Sequence, residues 1–328
     1  MKVIFWGTQG SLPASVNEKT VREKIFMAVQ AAQGYKLESA EAIDRFIDQE
    51  LPFAVRGTYG TNTSCVQLDN PGGDFVILDA GSGLRDLGLT LVKSGQAKKP
   101  STYHFVMSHL HWDHLQGFPF FVPAFIPGNR IVIHAYHPEA EACFRQQMSG
   151  QFFPVHFDQL AADISFEIRE PGTPFEVGGF SVTSMAQNHP GISYGYRFEK
   201  DGKCVVYSTD SEHKHDAYEK DYPFVGFFRG ADLLIFDAQY TMADATFTKA
   251  NWGHSSNVMG VELAARAGVR KLAIFHHEPT SSDAALEEFL FNTRMYCNIY
   301  HQETGGKLGH ERYPEQILLA YDGLEMEI

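Results

Sequence analysis

The 328-residue sequence is short of three things. It has no surplus of positive charge: 27 Lys and Arg stand against 40 Asp and Glu, a formal net charge of −13. Affinity along many phosphates comes from basic side chains displacing counterions, so structured nucleic acid is not the expected partner. Cysteine is sparse. Cys65, Cys143, Cys204 and Cys297 lie far apart and form no C-x-x-C pair. They read as reduced thiols in a cytoplasmic protein. Long apolar runs are missing too. No uncharged stretch approaches the length of a membrane span, and "MKVIFWGTQG" has too short an apolar run for a secretory signal and no small-residue cleavage site. The expectation is a soluble cytoplasmic protein with no membrane partner.

What the chain does have is core material. Apolar residues make up 44% and aromatics 13%, enough for a sizeable globular core. Ten short apolar runs read as strands: "KVIFW", "SCVQL", "FVILDAG", "YHFVMSH", "RIVIHAY", "FSVTSMAQNH", "SYGYRFEK", "KCVVYSTD", "DLLIFDAQY" and "KLAIFHH". "LRDLGLTLVKSG", "SSNVMGVELAARAG" and "SDAALEEFLFNTRMYC" carry helical spacing. Strands early, with helices interspersed and at the end, predict an α/β (α+β) domain of two sheets with helices on their outer faces. One domain over residues 1–328 is expected, with a helical insertion at about 17–50. In that insertion Val21, Ile25, Phe26, Val29 and Ala32 recur at helical spacing, which predicts one buried face. It reads either as a surface helix pair or as a lid or homodimer element.

Residues 107–118, "MSHLHWDHLQGF", concentrate the chemistry. His109, His111, Asp113 and His114 fall within six positions at the end of a strand. A lone histidine there would be an ordinary core or surface residue. Four metal-competent side chains together would be costly to bury without a metal or partners. Neutral imidazoles suit zinc, manganese and iron, and a carboxylate among them can bind a second ion. One segment cannot complete two sites. His189 in "MAQNHPG", Asp210 in "VVYSTDSE", and His276 and His277 in "LAIFHHEP" each end an apolar run. Singly each reads as a turn residue. Together they predict a two-metal site on one sheet edge.

The H-x-H-x-D-H run, the "ILDAGSG" around Asp79 and the later His, Asp and His motifs resemble the metallo-β-lactamase fold superfamily of hydrolases. The resemblance implies an αββα sandwich of two mixed β-sheets, and two divalent ions per chain, zinc first and manganese second. It assigns His109, His111 and His189 to one metal and Asp113, His114 and His276 to the other, with Asp210 bridging. Asp79 would support the metal loop through hydrogen bonds. His276 is preferred to His277 because it directly follows "LAIF"; His277 would then stand behind the ligands. "NWGHSS", with His254, resembles an element of the ribonuclease Z-like phosphodiesterase branch, some of whose members hydrolyse cyclic nucleotides. Its plainer reading is a helix start capped by Ser255 or Ser256.

The branch implies a binuclear metal-dependent phosphodiesterase. Asp113 would orient the metals and the nucleophile, and His254 would protonate the leaving oxygen. Only "PGISYGYRFEKDGKCVVYST" separates His189 from Asp210, a hairpin with no room for a transfer-RNA-gripping arm. A small phosphodiester, above all a 3′,5′-cyclic nucleotide, is therefore the expected substrate. Ser255, Phe120 and Phe121 are candidate substrate contacts, the aromatics by stacking on a base. The alternatives are a ribonuclease Z-like RNA endonuclease and a non-catalytic, metal-dependent ligand-binding protein.

Overall fold

The computed structural model describes residues 1–304 and 314–328. The first sheet contains β1 (Lys2–Gly7), β2 (Cys65–Asp69), β3 (Phe75–Leu78), β4 (Thr102–Val106), β5 (Arg130–Ala135) and β6 (Asp163–Ile168). The second contains β7 (Phe175–Val177), β8 (Phe180–Gln187), β9 (Ser193–Lys200), β10 (Lys203–Ser208), β11 (Leu233–Asp237), β12 (Lys271–Phe275) and β13 (Gln316–Leu319). A last strand, β14 (Glu325–Glu327), returns to the first sheet beside β1. The spatial orders are β14-β1-β2-β3-β4-β5-β6 and β13-β12-β11-β10-β9-β8-β7, seven strands each.

Both sheets are mixed. β3 to β6 run parallel, as do β10 to β13, while the other pairs are antiparallel. Parallel strands end on the same side. The C-terminal ends of β3, β4, β10, β11 and β12 therefore gather along one edge of the sandwich. β8, antiparallel to β9, which is antiparallel to β10, ends there as well. Ligand sites in open sheets form beyond such strand ends.

Apolar side chains fill three layers. Val3, Leu68, Val106, Tyr196, Val205 and Phe275 are among those packed between the sheets. α4 (Leu84–Lys93) and α5 (Ala140–Gln147) cover the first sheet, through a cluster including Leu87, Phe105 and Phe144. α6 (Pro223–Phe228), α7 (Asn257–Ala267) and α8 (Asp283–Thr304) cover the second, through Val206, Phe236 and Leu263. The expected αββα sandwich is what the chain adopts.

The insertion forms α1 (Glu18–Ala31) and α2 (Ala40–Glu50), followed by the single turn α3 (Phe53–Arg56). Asn17 and Ser39 cap α1 and α2, each accepting from a backbone N–H three residues on. The expected buried face is wrong. Val21, Ile25, Phe26 and Val29 are 44–64% exposed. What faces inward is Lys24 with Ala28 and Ala32, the alanines packing near Phe46, Leu51 and Val55. Lys24 Nζ donates to the Ala54 and Gly57 carbonyls and, at 2.5 Å, to Asp283 of α8. A half-buried ammonium with three acceptors sets the orientation, and the apolar stripe is left outward.

Lys24→Ala should therefore loosen the insertion without unfolding the sandwich. Breaking a partly buried pair costs about 3 kcal/mol at most in this setting. Hydrogen exchange should accelerate in residues 18–31 and stay unchanged in the central strands.

Candidate metal centre

Each strand reaching the edge delivers one or more polar residues just past its last apolar one. Ser11, Asp79, Asp210 and His276 do so with φ of 59°, 58°, 51° and 62°. Non-glycine residues rarely adopt this left-handed region, and such strain persists where the surroundings over-determine it. Here it re-aims side chains into the gap between the sheets.

Asp79, fully buried, accepts from the Ser108 backbone N–H and hydroxyl (2.7 Å each), Tyr207 Oη (2.8 Å) and His114 Nδ1 (2.8 Å). With Nδ1 donating to Asp79, Nε2 is the ring nitrogen of His114 turned toward Asp113 and Asp210, 3.3 Å from each. The Ser108 hydroxyl lies 3.1 Å from His109 Nδ1, and the Gly253 carbonyl fixes His189 Nδ1 at 2.9 Å. Gly253 has φ of 87°, and a Cβ there would meet His189 Nδ1 at 2.3 Å, so only glycine brings its carbonyl this close. The Ser11 backbone N–H holds Asp113 at 2.9 Å.

The free ends converge. His109, His111 and His189 form one group whose ligand atoms lie within 4.8 Å of one another; Asp113, His114 and His276 form a second, and His109, His114 and Asp210 a third between them. Asp210 lies 3.7 Å from His109 and from His189, 3.3 Å from His114 and 3.4 Å from His276. His277 turns away, its Nε2 donating to the Ala320 carbonyl at 2.7 Å.

Do these residues fit two cations? Nε2 of His109 and of His114 are buried without a hydrogen-bond partner. An unmet buried group of this kind costs about 1–3 kcal/mol. Burial pushes the pKa values of His109, His111 and His189 down, leaving neutral imidazoles with lone pairs to share. Burial works against charge on His114 as well, but Asp113, Asp210 and Asp79 together draw its pKa well up. Asp79, Asp113, Asp210 and Asp237 are all buried, and their partners are histidines, hydroxyls and backbone N–H groups rather than lysine or arginine. Divalent ions meet both needs, unspent lone pairs and unbalanced negative charge.

His254 stands at the margin of this cluster, stacked on His276 at 5.0 Å and 3.9 Å from Asp210. Its Nδ1 donates to Asp237 at 2.9 Å. Burial alone would lower its pKa, yet the charge and hydrogen bond of Asp237 prevail and push it up to about 9. Asp237 also accepts from the backbone N–H of Ser211 and of Gln239. Sequence reasoning passed over Asp237. The signal was available: "LLIFD" ends an apolar strand with a carboxylate, as "ILD" does at Asp79.

Two expected substrate contacts are corrected. Ser255 is buried; its hydroxyl donates to the Ser211 carbonyl and accepts from the His213 N–H, tying two loops together. The helix cap is Ser256, which accepts from Met259 N–H. Phe121 is fully buried, edge-on to Tyr103 and Phe105. Phe120, one residue earlier, is 55% exposed.

With this geometry in view, comparison with known proteins places the fold. Residues 75–277, more than half of the chain, match the family model for the beta-lactamase superfamily domain. The chain belongs to the beta-lactamase superfamily. Members of this superfamily are metal-dependent hydrolases of the metallo-β-lactamase fold. A probable metallo-hydrolase, YhfI of Bacillus subtilis, is 26% identical over 176 residues, which is 52% of this chain and 64% of that protein. Its crystal structure superposes over 99% of both chains with a TM-score of 0.61 at 18% identity. The short form of human tRNase Z is similar over 100% of this chain and 99% of its own, with a TM-score of 0.60 at 17% identity. A diphosphatase of the PhnP family covers 100% of this chain and 97% of its own, with a TM-score of 0.56 at 17% identity. At such identities the likeness is one of fold.

Elemental analysis of protein purified without chelator should find about two divalent ions per chain, as a two-metal ligand set requires. Chelation should lower the Tm, because stripped ligands leave buried carboxylates unbalanced. Asp79→Ala should weaken metal affinity about 10–100-fold by freeing the His114 ring, with the ligands themselves still present.

Proposed function

We propose that the protein is a binuclear metal-dependent phosphodiesterase acting on small phosphodiesters, 3′,5′-cyclic nucleotides foremost, which it opens to nucleoside monophosphates. The observation carrying this reading is the Asp237–His254 pair beside the ligand cluster. A thiolate departs unaided near neutral pH, whereas an alkoxide, the conjugate base of a far weaker acid, needs a proton. The Asp237 carboxylate, bonded to Nδ1, favours the protonated ring, which can give a proton through Nε2.

Bound by His109, His111 and His189 and by Asp113, His114 and His276, with Asp210 shared, two zinc or manganese ions would supply a water-derived nucleophile near neutral pH and neutralise charge on the phosphoryl oxygens. The chain's own residues do the rest. Asp79 and Ser108 hold the metal loop in register. Asp113 and Asp210 fix the position of the nucleophile. His254 protonates the leaving ribose oxygen while Asp237 holds its ring. Three observations support a small substrate. β9 and β10 are joined by a tight turn at Asp201 and Gly202, so no arm leaves between His189 and Asp210. The net charge of −13 repels a polyanion. Exposed aromatics such as Phe120 can stack on a base. The four unpaired cysteines suit a cytoplasmic setting. Among the described residues, no helix is long and apolar enough to cross a membrane.

We also infer a homodimer through α1. Val21, Ile25, Phe26, Met27 and Val29, with Leu12 and Val16 nearby in the chain, form more exposed apolar surface than scattered single residues account for. A helix stripe packed on its own copy makes a self-complementary two-fold contact.

Assays with bis-p-nitrophenyl phosphate and a panel of cyclic mononucleotides, run with zinc, manganese and cobalt, should show turnover. No turnover with any of them would favour a binding protein, and cleavage of precursor transfer RNA instead would favour the ribonuclease alternative. His254→Ala should lower kcat for cyclic nucleotides by about 10²–10⁴-fold and for the nitrophenyl ester far less, since nitrophenolate needs little protonation. Ile25→Glu with Phe26→Glu should halve the mass seen by light scattering; an unchanged mass would place any interface elsewhere.

A further inference from the structure

His254 rides on the segment that joins β11 to α7, and this segment is gripped from two sides. Glu212 lies two residues beyond Asp210, and Glu278 lies two residues beyond His276. Both glutamates are mostly buried, with side chains 12% and 18% exposed. Glu212 accepts the Asn251 backbone N–H at 2.8 Å, and the Asn251 side-chain oxygen accepts from Lys214 Nζ at 2.7 Å. Glu278 holds Lys249 Nζ at 2.6 Å. Each strand end that delivers one of these two candidate ligands therefore also delivers a carboxylate to the segment carrying His254.

From Lys249 the contacts lead on to the histidine. Its Nζ lies 4.6 Å from the centre of the Tyr240 ring and 5.5 Å from that of Trp252. A cation over an aromatic face is attracted by the ring quadrupole. Tyr240 is 4% exposed, and its ring stands perpendicular to that of His254 at 5.6 Å. Its backbone brackets the histidine: the Tyr240 N–H donates to the Ser255 carbonyl, and the Tyr240 carbonyl accepts from the Asn257 N–H. His254 in turn stacks on His276. His276, Glu278, Lys249, Tyr240 and His254 so form a closed circuit, in which the displacement of one member is resisted by the others. Asp237 anchors one ring nitrogen. The neighbouring rings of His276 and Tyr240 limit how the imidazole can tilt about that bond.

We propose that Glu212, Glu278, Lys249 and Tyr240 are positioning residues that set His254 against the metal ligands, so that its proton meets the leaving oxygen. This deepens the phosphodiesterase reading and rests on it for the role of His254. None of the four belongs to the ligand groups, so they act through the histidine. A misplacement of about 1 Å at a reacting group can cost about 10²-fold in rate. The loss falls on substrates whose leaving group needs the proton and spares those whose leaving group departs without it.

The test compares a 3′,5′-cyclic nucleotide with bis-p-nitrophenyl phosphate in the full-length, metal-loaded protein. Lys249→Met and Tyr240→Leu should each lower kcat for the cyclic nucleotide by about 10–100-fold and for the nitrophenyl ester by less than about 3-fold. Metal content should stay at the parent's value. Tyr240→Phe, which keeps the ring, should behave as the parent. Glu278→Ala added to Lys249→Met should cost little more than either alone, because both break the same contact. A second readout needs no turnover. In protein made with isotope-labelled histidine, the His254 NMR signal is assigned by its loss in His254→Asn. It should be single and narrow in the parent, and broadened or split in Lys249→Met and Glu212→Ala, both of which keep the Tyr240 ring. An equal loss on both substrates, loss of metal, or a His254 signal unchanged in these variants would each overturn the proposal. A responsive signal in a parent that cleaves no phosphodiester keeps the positioning and removes the functional reading. Turnover by the parent, with the signal and the leaving-group dependence unmoved by the substitutions, does the reverse.

Discussion

Everything at the site depends on one buried carboxylate. Asp79 leaves β3, takes a left-handed backbone turn, and accepts four hydrogen bonds from three residues. Ser108 and His114 lie in the metal loop after β4, and Tyr207 lies on β10 of the opposite sheet. The carboxylate thus joins the two sheets at the point where the ligands must meet. It also chooses the tautomer of His114, which decides the nitrogen left for a metal. Removing Asp79 would take away no ligand and would disorganise several.

The same economy recurs around the cluster. Ser108 steadies His109, Gly253 steadies His189, Asp237 steadies His254, and the Ser11 amide steadies Asp113. Each support comes from a different strand end or loop, so no single element owns the site. Parallel strands ending together are what make this convergence possible, and the left-handed residues turn a row of strand ends into an inward-facing ring.

Much of this was legible in the sequence, for a physical reason. Interior strands of both sheets are buried on two faces, so they stand out as apolar runs. The four strands that sequence reading did not find, β6, β7, β13 and β14, are the four edge strands, short or half-exposed, with little apolar signal to read. The clustered histidines were visible because so many metal-competent side chains rarely sit together by accident. Asp237 was not, because one aspartate at a strand end looks like any turn residue. Ser255 and Phe121 were misjudged for a related reason: sequence shows that a residue is near the site but not which way it points. The stripe on α1 shows the converse. Helical periodicity says which residues share a face, while Lys24 and its three acceptors settle which face turns inward.

β14 ties together two segments far apart in sequence. It supplies the strand beside β1, pairing Met326 with Val3, and the Ile328 N–H donates to the Met1 carbonyl. The outer edge of β1 is covered only when this segment, far from it in sequence, pairs with it, Lys2 opposite Glu327. Such a long-range closure is entropically slow and leaves a nascent edge open to wrong pairings. β1 runs directly into Gly10, whose N–H bonds the His277 carbonyl, and Ser11, which holds Asp113. The metal loop is therefore coupled, through β1 and Ser11, to a pairing between segments far apart in sequence.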